Sequence, residues 1–101
     1  MEQIVEYAEK AARWWKEQML CYYLERKLDK FEESLIKRIA DGLQISDSVT
    51  LETEEHSVSA ILFWAASDAQ ISMDAFPQNC RMKISLKNGV VVDGFQIWPP
   101  I

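Results

Sequence analysis

The sequence predicts an α+β protein: N-terminal helices packed on a small, about three-stranded antiparallel sheet that ends in a C-terminal β-hairpin. Three observations predict it. The first 41 residues contain neither Gly nor Pro and repeat their apolar residues at helical spacing. Two later segments, 48–53 and 81–92, alternate apolar and polar residues as half-buried strands do. An Asn88-Gly89 pair splits the second of these as a hairpin turn would.

The first helix is expected over Ile4 to Tyr23. On a helical wheel Ile4, Tyr7, Ala8, Ala11, Ala12, Trp15 and Met19 share one half with Val5, Trp14, Tyr22 and Tyr23, while the charged residues from Glu2 to Glu17 take the other. A second stripe (Leu20, Leu24, Leu28, Phe31, Leu35) then points to roughly the opposite side of the same wheel. A straight helix cannot bury both stripes in so small a protein. The chain either breaks between about Leu20 and Asp29 into a helix hairpin, or runs on as one helix whose extra face a second subunit covers. Monomer burial is the simpler solution, so the hairpin is the expectation, with Asp29-x-x-Glu32 as a capping box and Gly42 as the left-handed residue that ends the second helix.

Ser48 to Thr53 reads as a strand and Thr53 to Ala69 as a third helix, capped by Thr53 or Ser57. Its apolar face is Val58, Ile61, Leu62, Ala65 and Ala69, widened by Phe63 and Trp64. Gln70 to Cys80 reads as a loop. In the hairpin, a three-residue turn Lys87-Asn88-Gly89 pairs Leu86 with Val90 and Ile84 with Val92 and keeps one face wholly apolar; a two-residue turn would oppose Ile84 with Asp93. Asp93-Gly94 marks a further turn or bulge before Phe95 to Trp98, and Pro99-Pro100 ends pairing.

At 101 residues the chain is long enough for one domain, expected over 1–101. Net charge is −5 with a pI of about 4.8. All of it lies in residues 1–56, where 13 acids face 8 bases, and Asp41 to Glu55 holds five acids and no base. Such a balance lacks the electrostatic footprint of a general nucleic-acid binder or of a protein that docks on anionic membranes. The longest apolar run, Ala60 to Ala66, has seven residues, far short of the roughly 18 of a membrane span. No signal-peptide pattern opens the chain, so a cytoplasmic setting with both cysteines reduced is the expectation.

Catalytic and cofactor signatures are weak throughout. His56 is the one side chain that titrates near neutrality unperturbed, and it stands in Glu54-Glu55-His56-Ser57 without a nucleophile motif. Cys21, His56 and Cys80 are scattered singly, with no metal-ligand spacing. Gly42, Gly89 and Gly94 are isolated, which leaves no glycine-rich phosphate cradle. The expectation is a non-enzymatic protein without cofactor or metal. Basic and aromatic residues interleave around Tyr22, Tyr23, Arg26, Lys27 and Lys30, but Glu25, Asp29 and Glu32 dilute them, so direct nucleic-acid binding is disfavoured.

The aromatic residues of the first helix carry the functional expectation. Trp14 and Trp15 differ by about 100° on the wheel, so both cannot face the centre of the stripe. Tyr7, Trp14, Trp15, Tyr22 and Tyr23 are the candidate interface for a protein partner or a second copy of the chain. The arrangement of Ala12-Arg13-Trp14-Trp15, Asp29 to Glu32, Phe76-Pro77 and a hairpin with Met82 and a turn glycine resembles small uncharacterised proteins carried by prophages and mobile elements of Gram-positive bacteria. The resemblance implies no catalytic residue, and it implies a small accessory or inhibitor protein acting on a host or phage partner. Two rival readings stand beside self-association: an acidic inhibitor of a nucleic-acid-binding protein, acting through Asp41–Glu55, and a small enzyme whose site is assembled across the fold.

Overall fold

The computed structural model describes residues 2–21, 23, 25–55 and 57–99. Three helices and a five-stranded antiparallel sheet make up the fold, in the order α1 (Glu2–Met19), α2 (Glu25–Ile45), β1 (Ser48–Glu54), β2 (Ser57–Val58), α3 (Ala60–Asp68), β3 (Arg81–Ser85), β4 (Gly89–Val92) and β5 (Phe95–Trp98). The spatial order is β2-β1-β3-β4-β5. The sheet is therefore wider than the three strands expected. β2 adds two residues by folding back on the end of β1. β5 is added through the Asp93-Gly94 turn, both of whose residues have positive φ (49° and 89°), the conformation whose twist suits a two-residue hairpin.

The break between the two apolar stripes is real: α1 stops at Met19 and α2 starts at Glu25, and the two helices pack against each other. Ala8, Ala11 and Ala12 are fully buried, and their small side chains allow close approach to the neighbouring elements. Asp29 and Glu32 lie inside α2 rather than capping it. Their carboxylates reach across to α1: Lys16 Nζ is 2.6 Å from Asp29 and 3.8 Å from Glu32, with Glu25 at 3.4 Å, and Arg13 meets Glu32 at 3.6 Å. The hydrogen bond to Asp29, reinforced by the charge of Glu32, holds the Lys16 ammonium above its ordinary pKa against the opposing pull of burial.

Gly42 also departs from expectation. It sits within α2, which continues to Ile45, and its role is close packing: a Cβ there would stand 2.8 Å from Val49 Cγ2 on β1. Val49, Leu51, Thr53, Met82, Ile84, Val90 and Val92 form the buried face of the sheet, while Thr50, Lys83 and Gln96 of the opposite face are exposed. Phe76, expected in a loop, is a core residue. Its ring packs edge-on against Trp15 of α1 at 5.9 Å and tilted against Phe31 of α2 at 5.7 Å.

The β3–β4 register pairs Ile84 with Val90 and Met82 with Val92, two residues from the expected pairing. A shift of two preserves the parity of the strand, so the same apolar face is buried and side-chain alternation does not distinguish the two registers. Local chemistry selects the observed one. Ser85 Oγ accepts a hydrogen bond from Asn88 N at 3.0 Å across the Leu86-Lys87-Asn88 loop, and Gly89 pairs with Ser85.

α3 is shorter than expected. The segment before it is the β1–β2 turn, and Ser59, not Thr53 or Ser57, stands at the N-cap position. Ser59 spends its side chain on β1 instead of on the helix: Oγ accepts from Glu52 N at 2.7 Å, and Ser59 N donates to Glu52 O at 2.9 Å. At the other end the chain leaves α3 through Gln70 at φ 57°, with Ile71 N donating to Ala66 O and Gln70 N to Ser67 O. Asp68 then pins α3 to α2, accepting from Ser34 Oγ at 2.6 Å and Arg38 Nη2 at 2.9 Å.

Two outcomes are expected. Gly89 has φ +82° and a Cβ there would fall 2.1 Å from the Trp98 carbonyl oxygen, so Gly89→Ala should destabilise by well over about 1 kcal/mol in urea unfolding. The Ser34 hydroxyl, and after it Arg38, hold the Asp68 carboxyl below its ordinary pKa. Its contribution is present above the ordinary carboxylate range and is lost as pH falls through the lowered folded value, so the destabilisation by Asp68→Asn should be constant above about pH 5 and shrink in acid.

Candidate functional site

The aromatic residues expected to form an interface are largely consumed by the fold. Trp15 is fully buried and Tyr7 is 7% exposed, which corrects both from interface to core. The reason is the helix hairpin, which lets one molecule cover the stripe that an unbroken helix would have offered to a partner. Trp14 is partly buried and packs edge-on against Trp15 at 4.9 Å. Tyr23 is also partly buried, and its hydroxyl accepts a hydrogen bond from Ser72 N at 3.0 Å, tying the α1–α2 turn to the loop after α3. Tyr22 lies outside the described residues.

Among the described residues the exposed aromatic side chains are Phe63 and Trp64, adjacent on α3, and Phe95, at 77%, on β5. The sequence of α3, Ala60 to Asp68, is apolar all round apart from its last two residues, Ser67 and Asp68. A helix of that composition is ordinarily covered on every side. Here only Leu62, Ala65 and Ala66 are buried. Ala60, Phe63, Trp64 and Ser67, at helical spacing i, i+3, i+4 and i+7, face outward. Phe63 is 39% and Trp64 51% exposed, and their rings meet edge-to-face at 5.1 Å. The pair is held by its own contact before any partner arrives, which lowers the entropy lost on binding.

Beside the N-terminal end of α3 lies a pocket of about 170 Å³ at the β1–β2 turn. Glu54 and Glu55 enter it from β1 and the turn, Asp74 from the loop after α3, and Val58, Met73 and Pro77 supply apolar wall. Thr53 shapes it from below: Oγ1 donates to Pro77 O at 2.6 Å and accepts from Cys80 N at 3.0 Å, joining that loop to β1. His56 lies outside the described residues.

The acids of Asp41 to Glu55 do not form one dense surface. Asp41 is on α2, Asp47 in the α2–β1 loop, and Glu52 is paired with Arg81 at 3.2 Å. Cys21 is exposed at the helix turn and Cys80 is half-buried beside Thr53. Burial, aided by the charge of Asp93, pushes the Cys80 thiol up, which keeps it protonated and weakly nucleophilic near neutral pH. Among the described residues no three His, Cys, Asp or Glu side chains converge as metal ligands, and no helix is long and apolar enough to cross a membrane.

Phe63 and Trp64 were expected to widen a buried face. Their outward position could have been sensed from length: seven apolar residues filling two turns of a short helix exceed what one side can bury. No family model, curated protein or solved structure matches the chain.

The two tryptophan environments predict opposite responses. Trp15→Ala should cost about 3–5 kcal/mol, whereas Trp64→Ser should alter stability by no more than about 0.5 kcal/mol. Chemical denaturation of both variants checks the pair, and a large loss from Trp64→Ser would mean that this ring supports the fold.

Proposed function

We propose that this protein works by non-covalent binding to another protein, without catalysis, and that the outer face of α3 is its contact surface. The observation that carries the reading is the exposed Phe63–Trp64 pair on a helix with no charged residue before Asp68. Aromatic side chains at a preorganised, apolar patch are the residues that supply most binding energy at protein interfaces. A cytoplasmic setting belongs to the same proposal, since the two cysteines are free and sit in separate elements. So does the role of a small accessory protein of a prophage or mobile element. The acidic-inhibitor reading draws less support, because the acids that would mimic a polyanion are distributed over separate elements and Glu52 is paired with Arg81.

The test is the double variant Phe63→Ser/Trp64→Ser, first shown by circular dichroism and cooperative unfolding to keep its fold. Wild type and variant are compared by sedimentation equilibrium and by affinity capture from nuclease-treated native lysate. The wild type should self-associate or retain a defined protein, and the variant should do neither. If mass and retained proteins are the same for both, α3 is not the contact surface.

A further inference from the structure

An isologous contact has to fit itself: residue i of one copy meets residue j of the other, and j meets i. The outer face of α3 has that property. Its outward side chains run Ala60, Phe63, Trp64, Ser67, small at both ends and aromatic in the middle, so the order of sizes is the same read in either direction. Two copies laid antiparallel bring Ala60 of one opposite Ser67 of the other, and Phe63 opposite Trp64. The two edge-to-face pairs then join into one aromatic cluster.

Charge favours the same arrangement. α3 has no acid in its first turn and no base in its last, and Ser59 makes no side-chain cap bond to it because that hydroxyl is spent on Glu52 N. The one charged residue of the helix, Asp68, stands at the C-terminal end, where the helix dipole disfavours a carboxylate. Asp68 is held by Arg38, yet its side chain remains 45% exposed. An antiparallel copy places each Asp68 opposite the Ser59 position of the other, where the dipole favours an acid. A parallel copy would instead set the two Asp68 carboxylates together. The net charge of −5 does not oppose the contact, because on the α2 flank beside α3 Lys30, Lys37 and Arg38 balance Glu33, Asp41 and Asp68. Resting on the reading of α3 as the contact surface, we infer that its occupant is a second copy of this chain, with the two α3 helices antiparallel about a two-fold axis between Phe63 and Trp64. A nine-residue helix makes a contact at the low end of interface sizes, so the dimer exchanges with the monomer in a concentration-dependent way.

Disulfide trapping tests the arrangement. The full chain carries Cys21→Ser/Cys80→Ser together with either Ala60→Cys or Ser67→Cys, both at exposed positions. In the antiparallel dimer position 60 faces position 67, whereas two copies of position 60 lie about 10 Å apart, beyond the roughly 7 Å between Cα atoms that a disulfide spans. Each variant alone and an equimolar mixture, shown to be folded by circular dichroism, are held in a glutathione redox buffer and analysed by non-reducing mass spectrometry. The mixture should yield the 60–67 disulfide at least about tenfold over either symmetric one, and adding Phe63→Ser/Trp64→Ser should abolish it. In sedimentation velocity the mass of the wild type should rise with concentration from monomer towards dimer, while Phe63→Ser/Trp64→Ser stays monomeric. Equal yields of the three disulfides, or a dominant 60–60 link, would overturn the antiparallel dimer. A wild type that is monomeric at every concentration and forms no 60–67 link would overturn the second copy as occupant, while a protein captured from lysate through Phe63 and Trp64 would still uphold α3 as the contact surface. Dimerisation that persists in Phe63→Ser/Trp64→Ser would overturn both.

Discussion

The structure depends on bringing two apolar stripes, which an unbroken helix would place on opposite sides, into one core. The turn after Met19 does this by reversing the chain, so that α2 lies against α1 and Leu28, Phe31, Leu35 and Ile39 join Ala8, Ala11, Ala12 and Trp15 in a common interior. Burying large side chains such as Trp15 and Phe31 is worth more than any single polar contact in the molecule. The ion pairs follow from this arrangement. Once α2 is folded back, Glu25, Asp29 and Glu32 fall on the side of α2 nearest α1 and collect around Lys16. They add little beside the apolar residues of both helices, which supply most of the stabilisation.

The same reversal settles which aromatic residues face solvent. Trp14 and Trp15 pack on each other, Phe76 closes over Trp15 and Phe31, and most of the α1 stripe is covered, Val5 remaining exposed. α3 is left with more apolar surface than its single buried side can hide. Its orientation is set at both ends by polar contacts: Ser59 to the backbone of Glu52, and Asp68 to Ser34 and Arg38. With these anchors in place, rotating α3 to bury Trp64 would break both and expose Leu62 and Ala66 instead.

Much of this fold is legible in the residues. The two stripes call for either a break between about Leu20 and Asp29 or a second subunit over one of them, and the alternation of 81–92 points to a hairpin with Ile84 on the buried face. Other features were not legible, each for a definable reason. The β3–β4 register differs by two residues from the one that side-chain matching favours, because a two-residue shift leaves every side chain on the same face. Gly42 has the appearance of a helix stop, yet it is retained within α2 by the approach of Val49 from β1. Phe63 and Trp64 differ from Leu62 and Ala66 in size but not in polarity, so composition does not distinguish the outer face of α3 from the inner.

By itself, then, the sequence determined the class of the fold, the presence of two opposed apolar stripes in its first half, and the absence of a local catalytic signature, because periodicity and residue chemistry are properties of short segments. Tertiary structure alone decided which aromatic residues remain outside, and how the acids of residues 41–55 divide between an ion pair with Arg81 and a pocket shared with Asp74. Those outcomes depend on which segments meet across the chain. Contacts such as Asp68 with Ser34, or Phe76 with Trp15, link residues far apart in sequence and are not encoded in the pattern of either segment.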